Sequence, residues 1–149
     1  METLLLSDHC PDDIQRAGDI LRRGGLVAIP TETVYGLAAN ALDGEAVKKI
    51  YQAKGRPSDN PLIVHISRFS QLAPLVREVP ESAQKLAAAF WPGPLTIILP
   101  KSDVIPQQTS GGLDTVAVRC PSHPTARAVI DAAEVPLAAP SANLSGKPS

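Results

Sequence analysis

GGLVAIPTETVYGLAANALDGEAVKKIYQAKGRPSDNPLIVHI, residues Gly24 to Ile66, is the stretch whose reading decides the fold. It holds an apolar run (Leu26 to Ile29), a polar turn (Pro30 to Gly36), a short amphipathic helix, a basic Lys54-Gly55-Arg56-Pro57 turn and a second apolar run (Leu62 to Ile66). Two short apolar runs that bracket one amphipathic helix read as strand, helix, strand, the unit of an α/β fold. The first run breaks into Thr, Glu and Thr behind a proline. Such hydroxyls rarely decorate a core, so the polar turn is where a site is expected.

The helix can be argued residue by residue. Asp43 suits the N-cap, accepting orphan amides, and Val47, Ile50, Tyr51 and Lys54 recur along one face. Gly55 fits the left-handed position that ends a helix, and the residue before Pro57 is pushed to extended backbone. Lys54 and Arg56 then stand at the mouth of the fold and can converge on an anion; the bland alternative is a solvated helix-end charge and a loop arginine. The turn Thr31-Glu32-Thr33-Val34-Tyr35-Gly36 carries hydroxyls, a carboxylate and a phenol, which suits a small polar ligand, against a Thr-rich strand end with Tyr35 packed inside.

Outward from this stretch, composition sets the bounds. With 149 residues, 44% hydrophobic and 19% charged, one domain with a buried core is expected. A net charge of -1 is no global signal for nucleic acid or an anionic membrane, so any such binding must come from a local patch. Residues 1–23 lack a basic region followed by an apolar one, and no apolar run approaches a membrane span. Cys10 and Cys120 stand apart with no Cys/His cluster, which points to two reduced thiols in a cytoplasmic protein rather than a structural zinc.

The first helix is expected from about Pro11 to Arg23, with Ile14, Ala17 and Leu21 inward and Gly24-Gly25 stopping it. His65, inside the apolar run, reads by itself as a core histidine bonded to backbone. Phe69 to Val76 reads as a short helix interrupted at Pro74, and Glu81 to Phe90 as a better one with Ala83, Leu86, Ala87 and Phe90 inward. Trp91-Pro92-Gly93-Pro94 is a rigid turn into the strand Thr96 to Pro100, with Trp91 as a core plug. Aromatics at 3% leave no stacking pattern for single-stranded nucleic acid.

Lys101 to Asp114 is polar, ends in two glycines and reads as a mobile surface loop. Thr115 to Arg119 is a strand with a guanidinium at its end, suited to bidentate capture of a carboxylate or phosphate, or to a surface ion pair. A helix from His123 to Ala133 carries Pro124 in its first turn, Ser122 as the expected cap and no chemistry on His123. Leu137 to Ala139 is a last short strand. Beyond it Ser141, Asn143, Ser145 and Gly146 form a small-residue loop able to cradle a phosphate, though neither G-x-x-x-x-G-K-[ST] nor G-x-G-x-x-G occurs.

Taken together PTETVYGL (Pro30 to Leu37), KGRP (Lys54 to Pro57), NPLIVHI (Asn60 to Ile66), WPGPLT (Trp91 to Thr96), VAVRCP (Val116 to Pro121) and PSANLSGKPS (Pro140 to Ser149) resemble the YrdC/Sua5 family. Six motifs in the family's order cover nearly the whole chain. The resemblance implies a single α/β domain, a twisted sheet with flanking helices and an open basic concave groove. Family synthases continue past the last loop, so residues 1–149 are expected to lack the family's C-terminal segment.

The function implied is that of a nucleotidyltransferase. It makes L-threonylcarbamoyl-AMP from L-threonine, bicarbonate or CO2, and ATP, the first step of tRNA N6-threonylcarbamoyladenosine modification. By motif position the resemblance assigns threonine to Thr33, His65, Arg119 and the backbone of Ala139. It assigns ATP to Lys54, Arg56, Asn60, Thr115, Ser141, Asn143 and Ser149, with Lys54 and Arg56 as the catalytic cations. No residue acts as a metal ligand; Mg2+ is expected on the phosphates. Downstream partners would be the threonylcarbamoyl-transfer machinery. Two other readings follow from the same resemblance: a non-catalytic module for tRNA or double-stranded RNA, and the related domain of hydrogenase-maturation carbamoyltransferases, which carry Cys-rich zinc modules.

Overall fold

The structure, a computed structural model, describes residues 11–30, 35–54 and 61–140, without the side chains of Pro30, Tyr35 and Lys54. Helix α1 (Pro11–Arg22) ends at Gly24, whose φ of 87° only glycine adopts without cost; Gly25 N–H closes the turn by donating to the Ile20 carbonyl. The chain then makes β1 (Val27–Pro30) and β2 (Tyr35–Asn40), an antiparallel pair. Helix α2 (Gly44–Lys54) follows, capped as expected by Asp43, whose carboxylate accepts from the amides of Glu45 and Ala46. Val47, Ile50 and Tyr51 are its buried face.

Strand β3 (Ile63–His65) leads through two 3-10 turns, Phe69–Gln71 and Ala73–Leu75, to α3 (Glu81–Phe90) and β4 (Thr96–Pro100). A short helix α4 (Gln107–Ser110), β5 (Thr115–Arg119), α5 (Pro124–Ala133) and β6 (Leu137–Ala139) complete the described chain. One six-stranded mixed sheet runs β1-β2-β6-β3-β5-β4. Among the described strands only β3 and β5 are parallel neighbours. The last strand in sequence therefore joins the first hairpin to the other three strands.

Each face of the sheet buries its own cluster. On one, Ala39, Val64, Val116, Val118 and Ile97 meet α2, α3 and the segments between them. On the other, α1 and α5 cover Ile29, Ala38, Leu137 and Ala139. These two helices touch closely. A Cβ on Gly18 of α1 would lie 2.5 Å from the Ala132 carbonyl carbon of α5, so only glycine fits there.

Several local expectations need correction. Pro30 to Gly36 is not one turn: Tyr35 and Gly36 already belong to β2, whose YGLAAN sequence lacks the β-branched residues that mark a strand. Leu86 and Phe90 are exposed, because Leu86 sits about 100° round the helix from Ala87 and Phe90 is its last residue. Lys101 to Asp114 is no surface loop. Ile105, Thr109 and Ser110 are buried, the Thr109 hydroxyl donates to the Ala41 carbonyl at 2.7 Å, and Leu62 N–H donates to the Thr109 carbonyl at 3.1 Å. The cap of α5 is His123, not Ser122; its Nδ1 accepts from Thr125 N–H at 3.1 Å because Pro124 holds the first helical position.

Candidate functional site

Alternation along β5 is half-buried at Thr115, Ala117 and Arg119 and buried at Val116 and Val118. Cross-strand partners share a face, so the register places Thr96, Ile98 and Pro100 of β4 beside Arg119, Ala117 and Thr115. The parallel pair adds His65 level with Arg119, and Ile63 level with Ala117. On the far side of β3, Leu137 is level with His65 and Ala139 with Ile63. His65, Thr115, Arg119 and Ala139 therefore lie on one face of the sheet. Over β4 and β5 that face is open, with Ile98 64% exposed.

These residues form rows across the strands. The first row holds His65, Arg119 and Thr96; the second Ile63, Ala117, Ile98 and Ala139; the third Thr115 and Pro100. Successive rows stand two residues, about 6.7 Å, apart. Among the four described site residues, His65 and Arg119 are thus grouped at one end, with Ala139 one row on and Thr115 two rows on. Pro61, which precedes β3, and Pro140, which follows β6, lie toward the Thr115 end.

Arg119 donates from Nε and Nη2 to the Thr96 hydroxyl oxygen, at 3.1 and 2.8 Å. Among the described residues no carboxylate pairs with it. The surface ion-pair reading of Arg119 is therefore not what the described residues show. A half-buried guanidinium held by a neutral hydroxyl keeps its charge for a ligand. His65 is buried, as its place in an apolar run suggests, and its Nδ1 donates to the Ile63 carbonyl at 3.1 Å, fixing a proton on that nitrogen. Core packing and a place beside Arg119 are compatible, since His65 closes the row without leaving the sheet.

Thr33, Arg56, Asn60, Ser141, Asn143 and Ser149 lie outside the described residues, as does the side chain of Lys54, the last residue of α2. Thr96 is the hydrogen-bond partner of Arg119 that sequence reasoning missed. It stands inside WPGPLT, but only the β4–β5 register brings it to Arg119, and register is not written in either strand alone. Among the described residues no group of three or more His, Cys, Asp or Glu is arranged to hold a metal ion, and no helix is long and apolar enough to cross a membrane.

The described chain is thus an open mixed α/β sheet with Arg119 held by Thr96 on the part of one face that no helix covers. The profile of the Sua5/YciO/YrdC family, described as "Telomere recombination", matches residues 19–149, and the chain belongs to that family. It is 62% identical over 136 residues to the threonylcarbamoyl-AMP synthase of Pyrococcus abyssi, covering 91% of this chain and 40% of that protein. The Bacillus subtilis threonylcarbamoyl-AMP synthase is 59% identical over 145 residues, covering 97% and 42%. The crystal structure of P. abyssi Sua5 complexed with L-threonine superposes with a TM-score of 0.89 at 61% identity, covering 94% of this chain and 41% of that one. This chain thus spans about two fifths of the length of these relatives.

Proposed function

We propose that this chain takes part in making L-threonylcarbamoyl-AMP from L-threonine, bicarbonate or CO2, and ATP, the first step of tRNA N6-threonylcarbamoyladenosine modification. The observation that carries this reading is Arg119: a half-buried guanidinium without a carboxylate partner among the described residues, beside His65 on an open sheet face. Its fork suits the threonine carboxylate. Support comes also from relatives named for this synthase and from a relative bearing L-threonine.

In this reading the threonine amine takes up CO2 and loses a proton to give a carbamate. A carbamate oxygen attacks the α-phosphorus of ATP, and the bond to the bridging oxygen breaks as pyrophosphate leaves. No covalent enzyme intermediate is needed, so catalysis is positioning and charge neutralisation. Threonine lies in the row of Arg119 and His65, with the Ala139 backbone one row on and Thr33 completing its pocket. The nucleotide lies toward Thr115, and by motif position Lys54, Arg56, Asn60, Ser141, Asn143 and Ser149 are assigned to it, with Lys54 and Arg56 serving its phosphates. Mg2+, carried by those phosphates rather than by side chains, would help to neutralise their charge. The product passes to a threonylcarbamoyl-transfer machinery acting on tRNA, in the cytoplasm.

The test is pyrophosphate release by the purified chain with threonine and bicarbonate omitted in turn. Release that needs both is expected. Release that persists without threonine, or no release together with no saturable threonine binding, overturns the reading.

A further inference from the structure

A second concavity lies where the open face does not reach. Arg119 is followed by Cys120, whose carbonyl accepts from Gly93 N–H at 2.8 Å, and alternation turns Cys120 to the opposite side of the sheet. Past the end of β5 a cleft of about 530 Å³ opens between α3, which packs on that side of the sheet, α5, which packs on the other, and the turn after β3. That volume falls within the roughly 300–1,000 Å³ typical of small-molecule sites. None of the residues assigned above to threonine or ATP lines it.

Its walls are of two kinds. Phe69, 45% exposed, the half-buried Trp91 and the methyls of Ala87 and Ala88 make an apolar surface. The Trp91 indole N–H is already spent on the Leu95 carbonyl at 2.8 Å, so the ring offers the cleft no donor, only surface. Facing it are two guanidiniums, Arg68 and Arg127. Arg127 gives one bond, from Nη2 to the Ser67 carbonyl at 2.9 Å, and no carboxylate pairs with it among the described residues. The obvious candidate, Asp131 one turn along α5, is engaged elsewhere: it accepts from the Ser67 hydroxyl and pairs with Arg68 at 3.6 Å. Arg127 is left as a half-buried cation with unspent donors beside aromatic surface.

We propose that this cleft is a second binding site, for a small aromatic anion, a carboxylate or phosphate monoester whose ring lies against Phe69 and Trp91 and whose charged end is gripped by Arg127. The shape and the charge point the same way. A purely apolar ligand leaves the guanidinium desolvated and unpaired, and an inorganic anion leaves the apolar wall wet. The inference stands independently of the reaction assigned to the open face.

Trp91 is the chain's one tryptophan, so its fluorescence reports the cleft directly. The intact chain is titrated with benzoate and with phenyl phosphate, and separately with benzyl alcohol and inorganic phosphate. Saturable change with one or both aromatic anions is expected, with the neutral ring and the bare anion each about tenfold weaker or more. If only one aromatic anion binds, that result chooses between carboxylate and phosphate. Arg127→Ala is expected to weaken the response about tenfold. Ala88→Glu, at an exposed lining position that does not threaten the fold, is expected to weaken it also by placing a like charge at the rim. Arg119→Lys leaves the response unchanged. No saturable change, equal affinity for benzyl alcohol, indifference to both Arg127→Ala and Ala88→Glu, or loss in Arg119→Lys overturns the proposal.

Discussion

Arg119 and Thr96 face each other across the β4–β5 pair, and two nitrogens of the arginine share the one hydroxyl oxygen of the threonine, at 3.1 and 2.8 Å. A carboxylate in that place would orient the fork equally well but would consume its charge. The hydroxyl orients without neutralising, so the geometry is paid for during folding rather than at binding. Thr96→Val removes the acceptor while keeping the shape. Threonine affinity is expected to fall about tenfold, the worth of a hydrogen bond to a charged group, with ATP affinity unchanged. Thr96→Ser restores it. Isothermal titration of each ligand decides, and a Val variant with undiminished threonine affinity removes Thr96 from the site.

Arg119→Lys keeps the charge and loses the planar fork. Threonine binding is expected to weaken substantially while ATP binding changes little, measured by separate titrations. Equal weakening for both ligands would move Arg119 to the nucleotide side of the site.

Lys54→Ala and Arg56→Ala are each expected to abolish most pyrophosphate release and leave circular dichroism unchanged, since α2 buries Val47, Ile50 and Tyr51 and ends at Lys54. Losing one charge from a desolvated pair costs about 2–5 kcal/mol, on the order of thirty- to several-thousand-fold. Near-wild-type turnover in either folded variant would falsify the phosphate role.

Gly18→Ala tests the contact of α1 with α5. Alanine is the better helix former, yet its Cβ would come 2.5 Å from the Ala132 backbone, so the helices must part. Overpacking of this kind costs about 1–3 kcal/mol. A lowered melting temperature is expected; an unchanged or raised one shows that the two helices yield.

Where local sequence and tertiary demand agree, the chain was readable. The helix Glu81–Phe90 and the strands Thr96–Pro100, Thr115–Arg119 and Leu137–Ala139 have the boundaries their patterns predict, because each is bounded by proline or glycine and carries its own period. Tyr35–Asn40 was missed because glycine and alanine have little strand preference; it is a strand because β1 and β6 supply partners on both sides. The segment Lys101 to Asp114 looked solvated because Thr109 and Ser110 are polar, and their burial depends on carbonyls far off in sequence, such as that of Ala41. Arg119 and His65 were legible as residues, the first from its place at a strand end and both from family motifs. Their adjacency, and Thr96 with them, came only from register.

The position of β6 has a consequence for how the chain is made. Among the described strands, the one formed by residues 137–139 alone pairs with both the β1-β2 hairpin and the β3-β5-β4 set. Synthesis runs from the N-terminus, so until those residues leave the ribosome the two half-sheets are separate, each with an unpaired inner edge. The closing event joins residues about a hundred positions apart, Asn40 with Leu137, and such long-range pairing is slow. Nascent chains arrested before residue 137 are accordingly expected to show β2 amides open to hydrogen exchange and to bind holdase chaperones, whereas chains arrested well beyond it protect them. Early protection of β2 in the shorter chains would mean that the hairpin finds another partner first.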